Sequence, residues 1–125
     1  MPVSIVYEDA ATLAFLDIHP LSSGHTIVIP KQHADRIIDA TELTGSALGL
    51  TVKRVSDILH AALQPDGFTI GINDGVGGGQ GVGHLHAHVI PRWQGDGGGN
   101  IHSIVKSEPR FTLEQVTEKI KATKQ

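Results

Sequence analysis

The stretch from His84 to Trp93 alternates between two kinds of side chain, and this alternation limits the folds open to the chain. Successive residues of a β-strand point to opposite faces of a sheet, so residues of one parity share a face. One face of the predicted strand is apolar and the other carries three histidines: Leu85, Ala87 and Val89 against His84, His86 and His88. The pattern predicts a half-buried strand whose apolar face packs on a core and whose histidine face is open.

A second alternating segment, Phe68–Asn73, predicts a neighbouring strand. Its apolar members are Phe68, Ile70 and Ile72, and the others are Thr69, Gly71 and Asn73. If both strands place their apolar sides on the same core, the second set shares the histidine face. A glycine there leaves room for a ligand to approach the backbone. The two segments together therefore predict a cleft above the histidines.

The remaining patterns predict an α+β fold in a single domain over residues 1–125. Apolar residues at three- to five-residue steps predict a helix from Asp39 or Thr41 to Leu63. A Thr112-Leu-Glu-Gln115 capping box predicts the start of a C-terminal helix over Leu113–Lys121. Earlier strands are predicted at Val3–Tyr7, Thr12–Asp17 and His25–Pro30. We expect an antiparallel sheet of about five strands with the long helix and the C-terminal helix on one face.

Composition excludes several classes of function. The 125 residues have a net charge of −3, which does not indicate a nucleic-acid surface. They contain no cysteine, so disulfides, thiolate nucleophiles and Cys-rich zinc sites are excluded. We expect a cytoplasmic protein, which the missing cysteine allows, with no signal peptide at its start. No membrane contact is expected, since no segment approaches about 18 consecutive apolar residues.

Three interpretations of the histidine row are open. The first is a set of surface histidines without chemistry. The second is a metal site, although same-face residues lie about 6.8 Å apart along a strand and the outer pair about 13.5 Å apart, too far to share one ion. The third is acid–base or nucleophilic catalysis, for which imidazole is suited near neutral pH. We favour the third, without a metal or other cofactor.

The segment Gly79-Gln-Gly-Val-Gly-His-Leu-His-Ala-His-Val-Ile-Pro-Arg92 resembles the signature of the histidine triad (HIT) superfamily. Earlier segments are similar to that superfamily as well: Tyr7-Glu-Asp9, Ala14-Phe-Leu-Asp-Ile18, Gly24-His-Thr-Ile-Val-Ile-Pro-Lys31 and Gly71-Ile-Asn73. The resemblance covers about Ile5 to Trp93 and is to the small nucleotide hydrolases of the Hint and Fhit branches. It implies a protein that cleaves purine nucleotide derivatives at the α-phosphorus, and a homodimer.

The resemblance also implies catalytic roles for four histidines. His86 matches the nucleophile that forms a nucleotidyl-histidine intermediate, and His88 the histidine that contacts the phosphate and the leaving group. His84 matches the residue that supports the nucleophile, and His25 an upstream member of the same network. The expected substrates are nucleoside phosphoramidates or dinucleoside polyphosphates.

Substrate-binding roles follow from the resemblance in the same way. Asp17 matches the carboxylate that accepts both ribose hydroxyls. Asn73 matches a donor to a phosphate oxygen, and the backbone amides around Gln80, Gly81 and Val82 would stabilise charge on the phosphate. The apolar walls around the base match Ile5, Phe15 and Ile18.

One departure from the resemblance concerns catalysis. Gly81 stands where many members have Ser or Thr, whose hydroxyl assists the leaving group. The alternative function is therefore a nucleotide-binding regulatory module with weak turnover.

Overall fold

The computed structural model describes residues 3–123 and has an α+β architecture, as predicted. Five strands form one antiparallel sheet in the order β1-β2-β3-β5-β4. The strands are β1 (Ile5–Glu8), β2 (Thr12–Leu16), β3 (Thr26–Pro30), β4 (Gly67–Gly71) and β5 (Ala87–Arg92), and the helices are α1 (Glu42–Leu63) and α2 (Leu113–Lys121). Short 3-10 turns lie at Ile37–Asp39, Val76–Gly78 and Ile101–Ser103.

Helix α1 covers one face of the sheet. Thr41 caps its start, where the side-chain oxygen accepts a hydrogen bond from the backbone N–H of Thr44 (3.1 Å). Gln64 ends the helix in a left-handed conformation (φ 51°), and its N–H donates to the carbonyl of His60. The core lies between helix and sheet and contains Ala14, Val28, Ala34, Leu48, Val55, Leu59, Leu85, Ala87 and Val89.

The opposite face of the sheet carries one row of cross-strand neighbours. Directly opposed residues of antiparallel strands project to the same side. The register pairs Gly71 with His88, His88 with Ile27, Ile27 with Phe15, and Phe15 with Ile5. The predicted placement of Gly71 on the histidine face is therefore confirmed, and the register extends this row to Ile5.

The predicted strand His84–Trp93 begins later than expected, and this part of the prediction is wrong. β5 starts at Ala87, so only His88 of the three histidines lies within it. Before that point the chain leaves the sheet, because the backbone N–H of Leu85 donates to the carbonyl of Ala34 (2.7 Å) in a loop. Leu85 is nevertheless fully buried, so the alternation of buried and half-buried residues continues through the loop.

Residues 94–123 make little contact with the core. Helix α2 has the predicted bounds and the capping box, with Thr112 and Gln115 satisfying each other's backbone N–H groups. None of the residues of α2 is buried, and its apolar side chains Leu113, Val116 and Ile120 are exposed. In the described part of the chain, neither helix is both long and apolar enough to cross a lipid bilayer.

Candidate active site

The hydrogen bonding of His86 leaves one of its ring nitrogens free. Its Nδ1 lies 2.8 Å from the backbone carbonyl oxygen of His84, which can only accept a hydrogen bond. Nδ1 therefore carries the proton in the neutral ring, and Nε2 holds an unprotonated lone pair. A neutral imidazole fixed in this tautomer is a nucleophile at Nε2.

A second chain of hydrogen bonds fixes the ring of His88. The backbone N–H of Leu21 donates to His25 Nδ1 (3.1 Å), so His25 carries its proton on Nε2. That Nε2–H donates to His88 Nδ1 (2.9 Å), which leaves the proton of His88 on its own Nε2. His88 therefore offers an N–H donor from the ring beside His86, with the two ring centroids 5.0 Å apart.

Burial keeps both of these rings in the neutral form. His25 is only 3% exposed, and desolvation lowers its pKa from the ordinary value of 6.5 although the carboxylate of Asp17 acts in the opposite direction. Desolvation also lowers the pKa of His88, and the neighbouring rings of His86 and His25 lower it further. The tautomers inferred for His25 and His88 therefore hold at neutral pH.

The ring of His84 is held by the loop that follows β3. Its Nε2 lies 3.2 Å from the carbonyl oxygen of Pro30, and its Nδ1 lies 3.1 Å from Nδ1 of His33. His33 in turn places Nε2 2.8 Å from a carboxylate oxygen of Asp35. Neither His33 nor Asp35 was predicted as a site residue. The only signal in the sequence was a histidine three residues after the end of a strand.

Asp17 lies at the end of β2, close to His25. Its backbone N–H continues the strand pairing by donating to the carbonyl of His25 (2.9 Å). One carboxylate oxygen accepts from the backbone N–H of His19 (2.9 Å), and the other lies 3.7 Å from His25 Nε2. The carboxylate therefore stands at the edge of the histidine network, with its side chain 19% exposed.

An apolar cavity of about 310 Å³ adjoins His86. Its lining combines predicted residues with two aliphatic side chains of β3: Phe15, Val82, His84, His86, Ile27 and Ile29. Ile27 and Ile29 were not predicted as site residues, although their parity places them on the face opposite the buried Val28. Ile5 and Ile18 do not line this cavity, and Ile18 is 60% exposed.

The glycine-rich loop before His84 is held in shape by Gln80. Its side-chain oxygen accepts from the N–H of Gly75 (2.8 Å), and its Nε2 donates to the carbonyls of Asp35 and Val82 (2.7 Å each). The backbone N–H of Gln80 donates to Gly75 as well. The side chain of Gln80 thus holds the loop and joins it to Asp35, whereas the N–H groups of Gly81 and Val82 have no acceptor within residues 3–123.

A larger cavity, lined in part by charged side chains, also adjoins this loop. It has a volume of about 740 Å³ and is lined by the loop glycines together with Asp35, Arg36 and Asp74. Val82 lines both cavities, so the two meet at the loop. Asn73 is exposed near this loop, and its side chain has no hydrogen-bond partner in the described part of the chain.

Three ligand atoms in the site are close enough to surround a metal ion, but their protonation opposes binding. One atom each from Asp17, His25 and His88 lie within 4.8 Å of one another. A metal would need the lone pair of His25 Nε2, which carries the proton because Nδ1 already accepts from Leu21. Coordination would cost the hydrogen bonds to both Leu21 and His88.

The fold and the site define a small α+β protein in which a histidine ring, held in one tautomer, adjoins an apolar cavity. The model of the HIT domain matches residues 1–95, and the chain therefore belongs to the histidine triad superfamily. This is a family of nucleotide-binding and nucleotide-hydrolase proteins.

Individual proteins agree with this assignment. An uncharacterised HIT-like protein of Methanocaldococcus jannaschii is 44% identical over 99 residues, which cover 78% of this chain and 74% of that protein. The crystal structure of a HIT family protein from Bacillus anthracis has 35% identity and a TM-score of 0.82, covering 97% of this chain and 85% of that one. A zinc-bound histidine triad family protein from Mycobacterium smegmatis has 39% identity and a TM-score of 0.73, with 78% and 70% of the two chains covered.

Proposed function

We propose that this protein hydrolyses purine nucleotide derivatives at the α-phosphorus through a nucleotidyl-histidine intermediate on His86. The observation that carries the proposal is the bond from His86 Nδ1 to the carbonyl of His84, which leaves Nε2 unprotonated next to the apolar cavity. The proposed substrates are nucleoside phosphoramidates or dinucleoside polyphosphates.

In the first step, His86 Nε2 forms a bond to the α-phosphorus and the bond from phosphorus to the leaving group breaks. The positive charge that develops on the ring is stabilised at Nδ1 by the carbonyl of His84. His88 Nε2–H is the proton donor to the leaving group, since its Nδ1 is already an acceptor. The unpaired N–H groups of Gly81 and Val82 stabilise negative charge on the phosphate oxygens.

In the second step, water attacks the phosphorus and the bond to His86 Nε2 breaks. One proton of the water passes to Nε2 of His88, which gave up its proton in the first step, and the nucleoside monophosphate is released. His88 thus acts first as acid and then as base, and the protein returns to its starting protonation state.

The nucleoside is proposed to lie along the row of side chains between Asp17 and the apolar cavity. The Asp17 carboxylate accepts the ribose hydroxyls, and Phe15, Ile27 and Ile29 contact the base. Ile5 and Ile18 keep their proposed role at the outer wall, and Asn73 its role as a donor to a phosphate oxygen. No step in this scheme requires a metal ion or another cofactor.

The proposal includes a homodimer in the cytoplasm. Support for association comes from the edge strand β4, since Ile70 on its helix-facing side is 40% exposed in the single chain. Helix α1 also exposes apolar side chains, among them Leu50, Ile58 and Leu63. Sedimentation equilibrium tests this part of the proposal, and a monomer at micromolar concentration would contradict it.

The alternative is a nucleotide-binding regulatory module, which Gly81 favours because it supplies no hydroxyl to the leaving group. The test is incubation with adenosine phosphoramidate and with a dinucleoside polyphosphate, followed by detection of released AMP. Turnover that disappears in His86→Ala supports the hydrolase. Tight AMP binding without turnover on either substrate supports the regulatory module.

A further inference from the structure

His33 and His84 together make three hydrogen bonds that each require an N–H on one of the two rings. One runs to the carbonyl of Pro30, one to the carboxylate of Asp35, and one joins the two Nδ1 atoms. The first two partners can only accept, because Asp35 is a carboxylate and Pro30 offers a carbonyl. Two neutral imidazoles carry two N–H protons, one fewer than these bonds need.

We propose that His33 is a positioning residue of the histidine site, where it shares one additional proton with His84 and is held by Asp35. The pair then carries one positive charge, with Asp35 as its counter-ion. This inference rests on the proposed function, because the residue that it positions is next to the proposed nucleophile.

The contact between His33 and His84 affects the proposed nucleophile because His84 contacts His86 through its backbone. The carbonyl of that residue orients His86, while its ring is held between Pro30 and His33. The ring of His84 also lines the apolar cavity, so its orientation shapes the space in front of the nucleophile. Loss of the bond from His33 would release one of the two contacts that fix this ring.

The two basic side chains of this loop, Lys31 and Arg36, are paired with other carboxylates, and the carboxylate that contacts His33 is Asp35. Lys31 bonds Glu8 at 2.8 Å, and Arg36 bonds Asp74 at 3.0 Å. The loop position of Asp35 is itself fixed, since its backbone carbonyl accepts from Gln80. The glycine-rich loop and the histidine pair are therefore joined through one residue.

Two substitutions at His33 separate the two contacts. In His33→Asn the amide nitrogen takes the place of Nδ1 and can still donate to His84. In His33→Gln the amide nitrogen takes the place of Nε2, so the contact with Asp35 is kept and the one with His84 is lost. His60→Asn is the matched control, because His60 is an exposed histidine on helix α1 away from the site.

The kinetic measurement is kcat and KM for AMP release. We expect His33→Gln to lower kcat about tenfold with little change in KM. This factor is what the loss of one partly exposed hydrogen bond to a charged group typically costs. His33→Asn and His60→Asn should stay within about twofold of the parent. Equal kcat values in the parent and His33→Gln would overturn the proposal.

A spectroscopic measurement decides the same point without turnover. Long-range ¹H–¹⁵N NMR on the full chain with labelled histidine reports which ring nitrogens carry protons. We expect three N–H protons on the His33–His84 pair, and a neutral His84 ring protonated only at Nε2 in His33→Gln. Two neutral rings in the parent would overturn the proposal. If the parent releases no AMP, the proposed function fails, and the NMR result alone decides whether the proton is shared.

Discussion

Replacing Gly81 with serine tests how the leaving group departs. The structure places no heavy atom within 4 Å of the position that a Cβ would take at Gly81. The backbone there is outside the left-handed region, so a serine can adopt this conformation without strain. The hydroxyl would extend from the loop that separates the two cavities, next to the N–H groups that are proposed to face the phosphate.

The magnitude follows from the chemistry of the leaving group. A hydrogen bond that forms only in the transition state raises kcat without lowering KM. A well-placed donor contributes a factor of about 10² or more. We expect about tenfold for an amine leaving group, because His88 Nε2–H already supplies a donor. Pyrophosphate leaves readily, so its kcat should change by less than about twofold.

The assay compares kcat for an amine-leaving and a pyrophosphate-leaving substrate in the parent, Gly81→Ser and two controls. Gly81→Ala adds the Cβ without the hydroxyl. Gly83→Ser adds a hydroxyl two residues further along, where a Cβ also meets no atom within 4 Å. A rise in Gly81→Ala equal to that in Gly81→Ser, or no rise in either, would refute the reasoning about the hydroxyl.

Four further predictions follow from the site. His86→Ala should lower kcat by several orders of magnitude, and quenched-flow mass spectrometry should find a nucleotidyl adduct on His86 in the parent. Ribonucleotides should bind more tightly than 2′-deoxynucleotides, and Asp17→Ala should remove the difference in calorimetry, since each charge-assisted hydrogen bond is worth about 1.5–3 kcal/mol. Turnover should survive dialysis against EDTA. If dialysis abolished turnover and added zinc restored it, the metal interpretation would be right. The free energy of unfolding should fall as pH drops below about 6.5, because the unfolded chain takes up protons there while burial keeps the pKa of His25 and His88 low in the folded chain. Denaturant titrations at pH 7 and pH 5 measure this fall, and His88→Asn should reduce it.

The sequence predicted the sheet, and the face of it on which Gly71 and His88 lie, because strand parity is a strong constraint. Two alternating segments were enough to place Gly71 on the histidine face, and the register sets it opposite His88. The same parity rule could have placed Ile27 on the site face, since its neighbour Val28 is buried on the other side. The alternation is concealed in this strand, because Ile27, Val28 and Ile29 are all β-branched and apolar.

The alternation of side chains along the strands could not predict contacts within loops. Where the chain leaves the sheet before Ala87, partners are chosen by tertiary packing, as in the bond from Leu85 to Ala34. The bond between His33 and His84 joins residues 51 positions apart, and no local periodicity reports such a contact. The hydrogen bonds of the Gln80 side chain to Gly75, Val82 and Asp35 are of the same kind, since a glutamine at this position is equally consistent with a ligand contact.

The two histidines at the centre of the site acquire opposite tautomers from different kinds of support. His86 is oriented by a backbone carbonyl, which no side-chain substitution at His84 can remove. His88 depends on a side chain, because its protonation follows from that of His25, which is set by the backbone N–H of Leu21. The near-complete burial of His25 then has a functional reason, since water at its Nδ1 could replace Leu21 and allow the other tautomer. Attack on phosphorus requires a ring nitrogen without a proton, and protonation of a leaving group requires an N–H. The carbonyl of His84 leaves the first on His86, and the N–H of Leu21 sets the second on His88 through the side chain of His25.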